Sequence, residues 1–259
     1  DFFKRKKEKY GKGRERKTEI RNFDNISAVA VAANNEKLYV NKEEGFICTS
    51  AGLKKEQNKD AYTFVSDCSD LDDIIVFREN GTFMVTKLQA KCFVGSEKII
   101  HADIFHKNDD RTVYNMVYRS GKAGSPYYVK RFSVKGITHD KDYDLTMGEP
   151  GSKVVYFSAN PNGEAEVIKV MLRPQPKLKK TSFDYNFAEL AIKGRASRGN
   201  RLTQHPINKI VKRDDGVSTL AAREIWYDDT VKRLNADKRG TLIGEFSGDD
   251  KILQIYSNG

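Results

Sequence analysis

The chain has 259 residues, of which 38% are apolar and 32% charged, and its formal net charge is +10. This length fits one large all-β domain or two smaller domains, and the positive charge favours an anionic partner, either nucleic acid or acidic lipid. The sequence contains no run of eighteen apolar residues and no apolar run after its basic N-terminus, which argues against a membrane-spanning helix and a secretory signal.

The chemistry-bearing residue types form no recognisable catalytic or metal motif. Cys48, Cys68 and Cys92 are odd in number and widely spaced, so they predict neither a disulfide framework nor a metal knuckle. The four histidines are scattered, no phosphate-binding loop or dinucleotide fingerprint is present, and the paired aspartates fit turn capping better than a calcium or glycosidase site. We therefore expect reduced thiols in a cytoplasmic protein, with no metal, cofactor or catalytic residue in this chain.

The first 21 residues hold ten Lys or Arg against four acidic residues. Their main hydrophobic residues are Phe2, Phe3 and Tyr10, and a Gly-Lys-Gly sequence follows at 11–13. The pattern predicts a helix over residues 1–10 and a basic, partly helical connector over residues 1–17. A solvated linker is the preferred interpretation of this segment over a DNA contact.

From residue 18 onward, short apolar runs alternate with turn residues, and Asn-Gly between two such runs is the strongest local hairpin signal. The predicted hairpin turns are at Gly45, Gly81, Gly121–Gly124, Gly163, Gly194–Gly199 and near Asp229. The predicted strands are 26–33, 37–40, 46–48, 73–77, 82–86, 113–118, 127–132, 153–158, 166–172, 187–192, 201–203, 224–227, 231–234 and 251–256.

These turns recur every 30 to 41 residues, a spacing typical of propeller blades. A four-stranded unit cannot bury both of its faces alone, so neighbouring units must stack around an axis. The sequence therefore predicts an all-β, propeller-like domain over residues 18–259 with about six, alternatively five, four-stranded blades. A β-sandwich is the competing architecture, although sandwiches do not normally repeat one hairpin six times.

The stretch from Lys169 to Arg213 carries twelve Lys or Arg against two acidic residues, and Lys193–Thr203 is its most basic loop. Arginine matches phosphate geometry, and glycine permits close backbone approach, so this composition favours a nucleic-acid backbone over a merely solvated loop. The candidate DNA-binding residues are Lys177, Lys179, Lys180, Lys193, Gly194, Arg195, Arg198, Gly199, Arg201, Lys209, Lys212 and Arg213, with Lys130, Arg131 and Lys135 as secondary phosphate contacts.

An ordered set of segments resembles one family across essentially the whole chain. The segments are 10–20 (YGKGRERKTEI), 128–137 (YVKRFSVKGI), 143–146 (YDLT), 150–154 (PGSKV) and 193–200 (KGRASRGN). Together they are similar to the C-terminal domain of the A subunit of the bacterial type II topoisomerases, DNA gyrase and topoisomerase IV. Each motif is weak alone, and their order makes the resemblance fairly specific.

The resemblance implies a β-pinwheel, a propeller-like fold with exchanged strands that binds duplex DNA on its basic rim and bends it. It also implies three partners: duplex DNA, the N-terminal cleavage core of the same polypeptide, and the ATPase (B) subunit. The cleavage tyrosine lies in that core, so no catalytic role falls on this chain, and a nucleoid-associated location follows. The Gln-Arg-Arg-Gly-Gly-Arg/Lys-Gly box of gyrase is absent, which favours a topoisomerase IV-like role.

Two other functions are compatible with a propeller. A protein-interaction propeller gives no reason to concentrate cations in residues 169–213. A propeller enzyme, such as a lactonase or glycosidase, requires carboxylates or metal ligands gathered at the central channel, and no such set is marked in the sequence.

Overall fold

The computed structural model describes residues 1–12, 35–176, 178–230, 232–236, 238–247, 250–253 and 255. The chain divides into two compact units, residues 1–31 and 32–259. The predicted strand at 26–33 and the predicted boundary between residues 17 and 18 lie outside the described residues. The two units are described separately below.

The described part of the first unit contains the helix α1, Phe2–Tyr10, none of whose residues is buried. Lys6 lies 5.5 Å from the ring centre of Phe2 and 5.2 Å from that of Tyr10, one turn away on either side. The helix ends at Gly11, whose N–H bonds to the carbonyl of Lys7. A helix over this segment agrees with the prediction, and contacts on its own surface support it.

The second unit is built from five sheets, counted among the described residues. Sheet 1 contains β1 Glu36–Asn41, β2 Phe46–Cys48, β3 Thr63–Cys68 and β6 Lys91–Phe93. Sheet 2 contains β4 Asp73–Arg78, β5 Thr82–Lys87, β7 Ile99–Phe105 and β10 Tyr143–Asp144. Sheet 3 contains β8 Val113–Arg119, β9 Tyr127–Ser133, β11 Lys153–Asn160, β14 Lys193–Gly194 and β15 Asn200–Thr203.

The remaining two sheets have three strands each. Sheet 4 contains β12 Val167–Leu172, β13 Ser182–Asn186 and β16 Ile207–Asp214. Sheet 5 contains β17 Arg223–Asp228, β18 Arg233–Asn235 and β19 Thr241–Phe246. The helical elements here are α2, Ser50–Lys54, and the 3-10 turns Lys59–Ala61 and Phe187–Glu189. The all-β prediction is confirmed, whereas the count of blades for the whole chain stays a prediction.

One topological unit repeats through sheets 2 to 4. In each of these sheets the chain first forms a hairpin. The next segment pairs with the second hairpin strand of the preceding sheet, and a longer strand then pairs with the first strand of the hairpin. The donated strands are β6 on β2, β10 on β5, and β14 with β15 on β9. Neighbouring sheets are therefore linked by exchanged strands.

The predicted hairpins at Gly45, Gly81 and Gly121–Gly124 and the turn near Asp229 are confirmed as the links of β1–β2, β4–β5, β8–β9 and β17–β18. The hairpin predicted at Gly163 is wrong: β11 pairs with β8 and β12 pairs with β13, so this turn carries the chain between sheets 3 and 4.

Three other local predictions are also wrong: the strand at 187–192, the hairpin at 194–199 and the strand at 251–256. The segment 187–192 begins as a 3-10 turn and is not a strand. The loop at 194–199 does not close a hairpin, because β14 and β15 on either side of it both pair with β9 and not with each other. Residues 251–253 and 255, described parts of the last predicted strand, form no strand.

Three apolar clusters fill the spaces between successive sheets. Phe77 of sheet 2 is 1% exposed and lies 4.7 Å from the ring of Tyr114 and 4.6 Å from that of Phe157, both of sheet 3. Glu166 joins sheets 3 and 4: it is fully buried and accepts hydrogen bonds from Asn115 (3.0 Å), Tyr156 (2.7 Å) and Ser158. The sheets thus share both apolar and polar contacts.

The three cysteines are free thiols and lie on three strands of sheet 1. Burial raises the pKa of Cys48 and of Cys68 to about 11, so both thiols stay protonated at neutral pH. No helix in the described ranges is long and apolar enough to cross a membrane.

Replacing Phe77 by alanine is expected to lower the free energy of unfolding by about 3–5 kcal/mol, because it empties the aromatic contact between sheets 2 and 3. Urea denaturation followed by circular dichroism measures this loss. Phe93→Ala is the matched control: Phe93 is 56% exposed, so its loss is expected to stay below about 1 kcal/mol. Equal losses in the two variants would contradict the assignment of Phe77 to the shared core.

Candidate nucleic-acid interface

The basic loop, defined as residues 193–203, lies along the edge of β9 that faces away from β8. β14 runs parallel to β9 and pairs Lys193 with Phe132, whereas β15 runs antiparallel and pairs Arg201 with Tyr128. The two partners on β9 are four positions apart, which corresponds to about 13 Å along the strand. The loop between them is therefore anchored at both ends on the same edge.

Lys130 of β9 fixes the loop from beneath, since its side chain is 1% exposed. Its Nζ donates to the carbonyls of Leu145 (2.8 Å), Arg195 (2.7 Å) and Ser197 (2.9 Å). Burial lowers the pKa of Lys130 to about 8, and the charge of Asp144 opposes this shift. Its prediction as a phosphate contact is wrong, because the ammonium group is enclosed by the protein.

Arg131 is also buried, at 2% exposure, on the other face of β9. Its Nη2 donates to the carbonyls of Gly163 (2.6 Å) and Glu164 (3.2 Å), the turn that crosses from sheet 3 to sheet 4. Burial lowers its pKa. The prediction of Arg131 as a phosphate contact is likewise wrong, because its guanidinium group supports this turn.

Arg195 is half-buried and binds within the protein. Its Nη1 donates to the carbonyls of Lys135 (2.7 Å) and Gly136 (2.8 Å), and its guanidinium carbon lies 4.3 Å from the ring centre of Tyr143. Because Tyr143 belongs to the donated strand β10, Arg195 connects the basic loop to the strand exchange between sheets 2 and 3.

Gly199 has a φ of +85°, and a Cβ atom there would lie 2.2 Å from the carbonyl oxygen of Val129. A glycine is required here because the loop packs closely against β9 with a positive φ. Gly194 has open space around its Cα and lies exposed in β14.

A second group of predicted residues is exposed and has no acidic partner within the described part of the chain. These residues are Lys135, Lys179, Lys180, Lys193, Arg198, Arg201 and Lys209. The guanidinium carbon of Arg198 lies 5.4 Å from the ring centre of Tyr128, and its carbonyl accepts from the hydroxyl of Tyr118 at 2.8 Å. These contacts hold Arg198 at the surface with its charge uncompensated.

The connections around sheet 4 bring several of these cations near one another. The N–H of Arg173, in the β12–β13 loop, donates to the carbonyl of Pro206 in the β15–β16 link at 2.8 Å. Met171 pairs with Ser182 on one side and Lys209 on the other, so Lys209 and the loop holding Lys179 and Lys180 share one end of sheet 4. Arg173 is exposed in that loop and was not among the predicted contacts; its place in the basic run was the available signal.

Two predicted residues are paired with acids, and one cannot be placed. Lys212 pairs with Asp215 and Glu166, and the hydrogen bond to Asp215 raises its pKa. Arg213 lies 3.8 Å from Asp184. Their charges are therefore partly compensated within the protein. Lys177 lies outside the described residues.

The described residues offer no group of three His, Cys, Asp or Glu side chains able to hold a metal ion. A cavity of about 220 Å³ between sheets 2 and 3 is lined by residues that include His101, His106 and Asp109. Burial lowers the pKa of His101, and the Asp109 carboxylate accepts from the N–H and hydroxyl of Thr112, so it caps the β7–β8 loop.

Lys130→Met is expected to lower the free energy of unfolding by about 3 kcal/mol, because three carbonyls lose their buried donor. The matched control is Lys135→Met, at an exposed lysine close by in sequence, with an expected change within about 0.5 kcal/mol. Chemical denaturation measures both. A Lys130 variant as stable as the control would contradict the internal role of this ammonium group.

Comparison with known proteins places the chain in a family. The family model described as topoisomerase C-terminal domain, Bacteroidota, matches residues 37–214. The A subunit of DNA topoisomerase 4 from Borreliella burgdorferi is 28% identical over 202 residues, which are 78% of this chain and 29% of that protein. The crystal structure of the C-terminal domain of DNA topoisomerase IV gives a TM-score of 0.46 at 11% identity, covering 85% of this chain and 75% of that one. Since the family model spans more than half of its residues, the chain belongs to the topoisomerase C-terminal domain family.

Proposed function

We propose that this chain is a non-catalytic domain of a type II topoisomerase A subunit that binds and bends duplex DNA. The observation that carries the proposal is the set of exposed cations without acidic partners around β14, β15 and the β12–β13 loop, within the described part of the chain. Phosphate binding by Lys and Arg releases counterions and needs no particular base sequence. We expect binding with little sequence preference.

Bending a short duplex costs about 1–6 kcal/mol, so several phosphate contacts must act together. Exposed cations on the β9 edge and at one end of sheet 4 supply such a series. Arg198 already packs on the ring of Tyr128, so fixing its side chain on a phosphate costs less conformational entropy. The internal cations Lys130 and Arg131 contribute by holding the loop and the sheet crossing in place.

Within the whole enzyme, we propose that the domain presents DNA to the N-terminal cleavage core, and that the ATPase (B) subunit completes the assembly. The chain spans 29% of the length of its curated relative, the A subunit of DNA topoisomerase 4. That name, and the absence of the gyrase-type basic box, support decatenation or relaxation over negative supercoiling. A cytoplasmic, nucleoid-associated location follows from the same proposal.

The test compares two triple variants of equal charge loss. Lys193→Ala/Arg198→Ala/Arg201→Ala removes cations at the β9 edge, and Lys54→Ala/Lys55→Ala/Lys59→Ala removes exposed lysines in and after α2 that have no acidic partner in the described chain. Duplex binding is measured by fluorescence anisotropy over a salt series. The first triple is expected to reduce the slope of log K against log salt by about 3 units, since each lost phosphate contact removes about 0.9.

Bending is followed in the same samples by energy transfer between dyes at the two duplex ends. The first triple is expected to reduce bending as well, with circular dichroism confirming the fold of both variants. Equal weakening by the two triples would show that only the global charge matters. Salt-independent binding by the unaltered chain would overturn the DNA proposal and favour a protein-interaction propeller.

A further inference from the structure

Among the described residues, the strand exchange covers sheets 1, 2 and 3 but leaves the second hairpin strands of sheets 4 and 5, β13 and β18, without a donor. In sheets 1, 2 and 3 the second hairpin strand is covered by a strand from the following repeat. In sheet 4 the corresponding strand, β13, pairs with β12 and with no other strand in the described chain. Within the described residues, the outer edge of β13 is therefore unpaired, whereas the three preceding edges are each paired with a donor.

The length of the link between the hairpin and its return strand explains why β13 has no donor from the next repeat. The donor segments lie in the links 88–98, 134–152 and 187–206, each of which runs from a hairpin to its return strand. The equivalent link between β18 and β19 is 236–240. Five residues span at most about 17 Å, which leaves no residues to pair with sheet 4 before the chain returns to β17.

The register fixes which groups of β13 face outward. The backbone carbonyl of Thr181 accepts from the N–H of Leu172 at 2.7 Å, and the N–H of Phe187 donates to the backbone carbonyl of Glu166 at 3.0 Å. Bonding alternates along an antiparallel pair, so Phe183 and Tyr185 also bond toward β12. The N–H and C=O groups of Ser182, Asp184 and Asn186 consequently point to the open edge.

The three donated strands show what such an edge accepts. Each donor contains a short antiparallel strand of two to four residues (β6, β10 and β15), and the third donor adds the parallel strand β14. Each brings a small or branched apolar side chain into the core between two sheets. Cys92, Leu145 and Leu202 are these anchors, at or just after the paired residues. Main-chain bonds supply the pairing and the anchor supplies the selectivity.

We propose that the outer edge of β13 is a docking site for a short extended strand of a partner polypeptide. This strand pairs antiparallel with residues 182–186 and carries one apolar anchor and a basic or neutral residue opposite Asp184. A second copy of the chain is the weaker occupant. In the register that pairs all three outward residues, Asp184 faces Asp184 of the other copy, and both copies carry +10.

The probe is a capped synthetic peptide with the sequence of residues 198–205, which contains the donor β15 with its Arg201 and its Leu202 anchor. Amide hydrogen exchange of the full chain is measured by NMR with no DNA present. Exchange at Ser182, Asp184 and Asn186 is expected to be fast in the free chain. It should slow about tenfold when the free peptide is at about ten times its Kd.

Two further arms separate edge pairing from charge attraction. A peptide that is N-methylated on its pairing face keeps its charge and is expected to give no protection. Asp184→Pro removes one outward N–H at an edge position that tolerates proline and should abolish protection, whereas Asp184→Asn keeps that N–H and should retain it. If the proline variant does not fold, the comparison of the plain and N-methylated peptides tests edge pairing by itself.

Three results would overturn the proposal. The first is slow exchange of the three amides in the free chain, which would mean that the edge is already covered. The second is equal protection by the plain and methylated peptides. The third is concentration-dependent dimerisation through these residues in sedimentation, which would assign the edge to a second copy. None of them depends on DNA binding, so a failure here is separate from a failure of the proposed function.

Discussion

Main-chain pairing between a donated strand and the preceding sheet is the interaction on which the rest of the structure depends. A sheet edge carries N–H and C=O groups that need partners, and closing it with a strand from the next repeat also fixes the neighbouring sheet against it. The apolar clusters lie between sheets linked in this way. Core packing, the position of the basic loop and the crossings between sheets all follow from this exchange.

The same exchange separates the cations into two populations. Lys130 and Arg131 lie on the strand that accepts the donor, and burying such groups is costly unless hydrogen bonds replace water. Backbone carbonyls of the donor and of the next crossing supply those bonds. On the donor itself, Lys193 and Arg201 remain exposed, whereas Arg195 is half-buried and donates to the carbonyls of Lys135 and Gly136. Position relative to the exchange therefore influences whether a positive charge is hydrogen-bonded inside the fold or lies at its surface.

The family match ends at residue 214, the last residue of sheet 4. Apart from Glu36, sheets 1 to 4 and all three donor segments lie within it, whereas sheet 5 lies beyond it. The last repeat keeps the hairpin and the return strand but has no donor in the described residues, and Leu242 and Ile243 on its return strand are exposed. Because the link 236–240 is too short to supply a donor, the missing donor of this repeat and the unpaired edge of β13 have one cause within the described residues.

By itself, the sequence determined the all-β class, the initial helix, the local hairpins and the concentration of cations, because turn residues, strand periodicity and charge act over a few neighbouring positions. It missed several donated and return strands, among them β6, β7, β10 and β16, and it placed a hairpin at Gly163, because those pairings join residues far apart in the chain. It also predicted both Lys130 and Arg201 as phosphate contacts. Only the tertiary structure distinguished them, since burial and the carbonyls surrounding a side chain are set by which strands become neighbours.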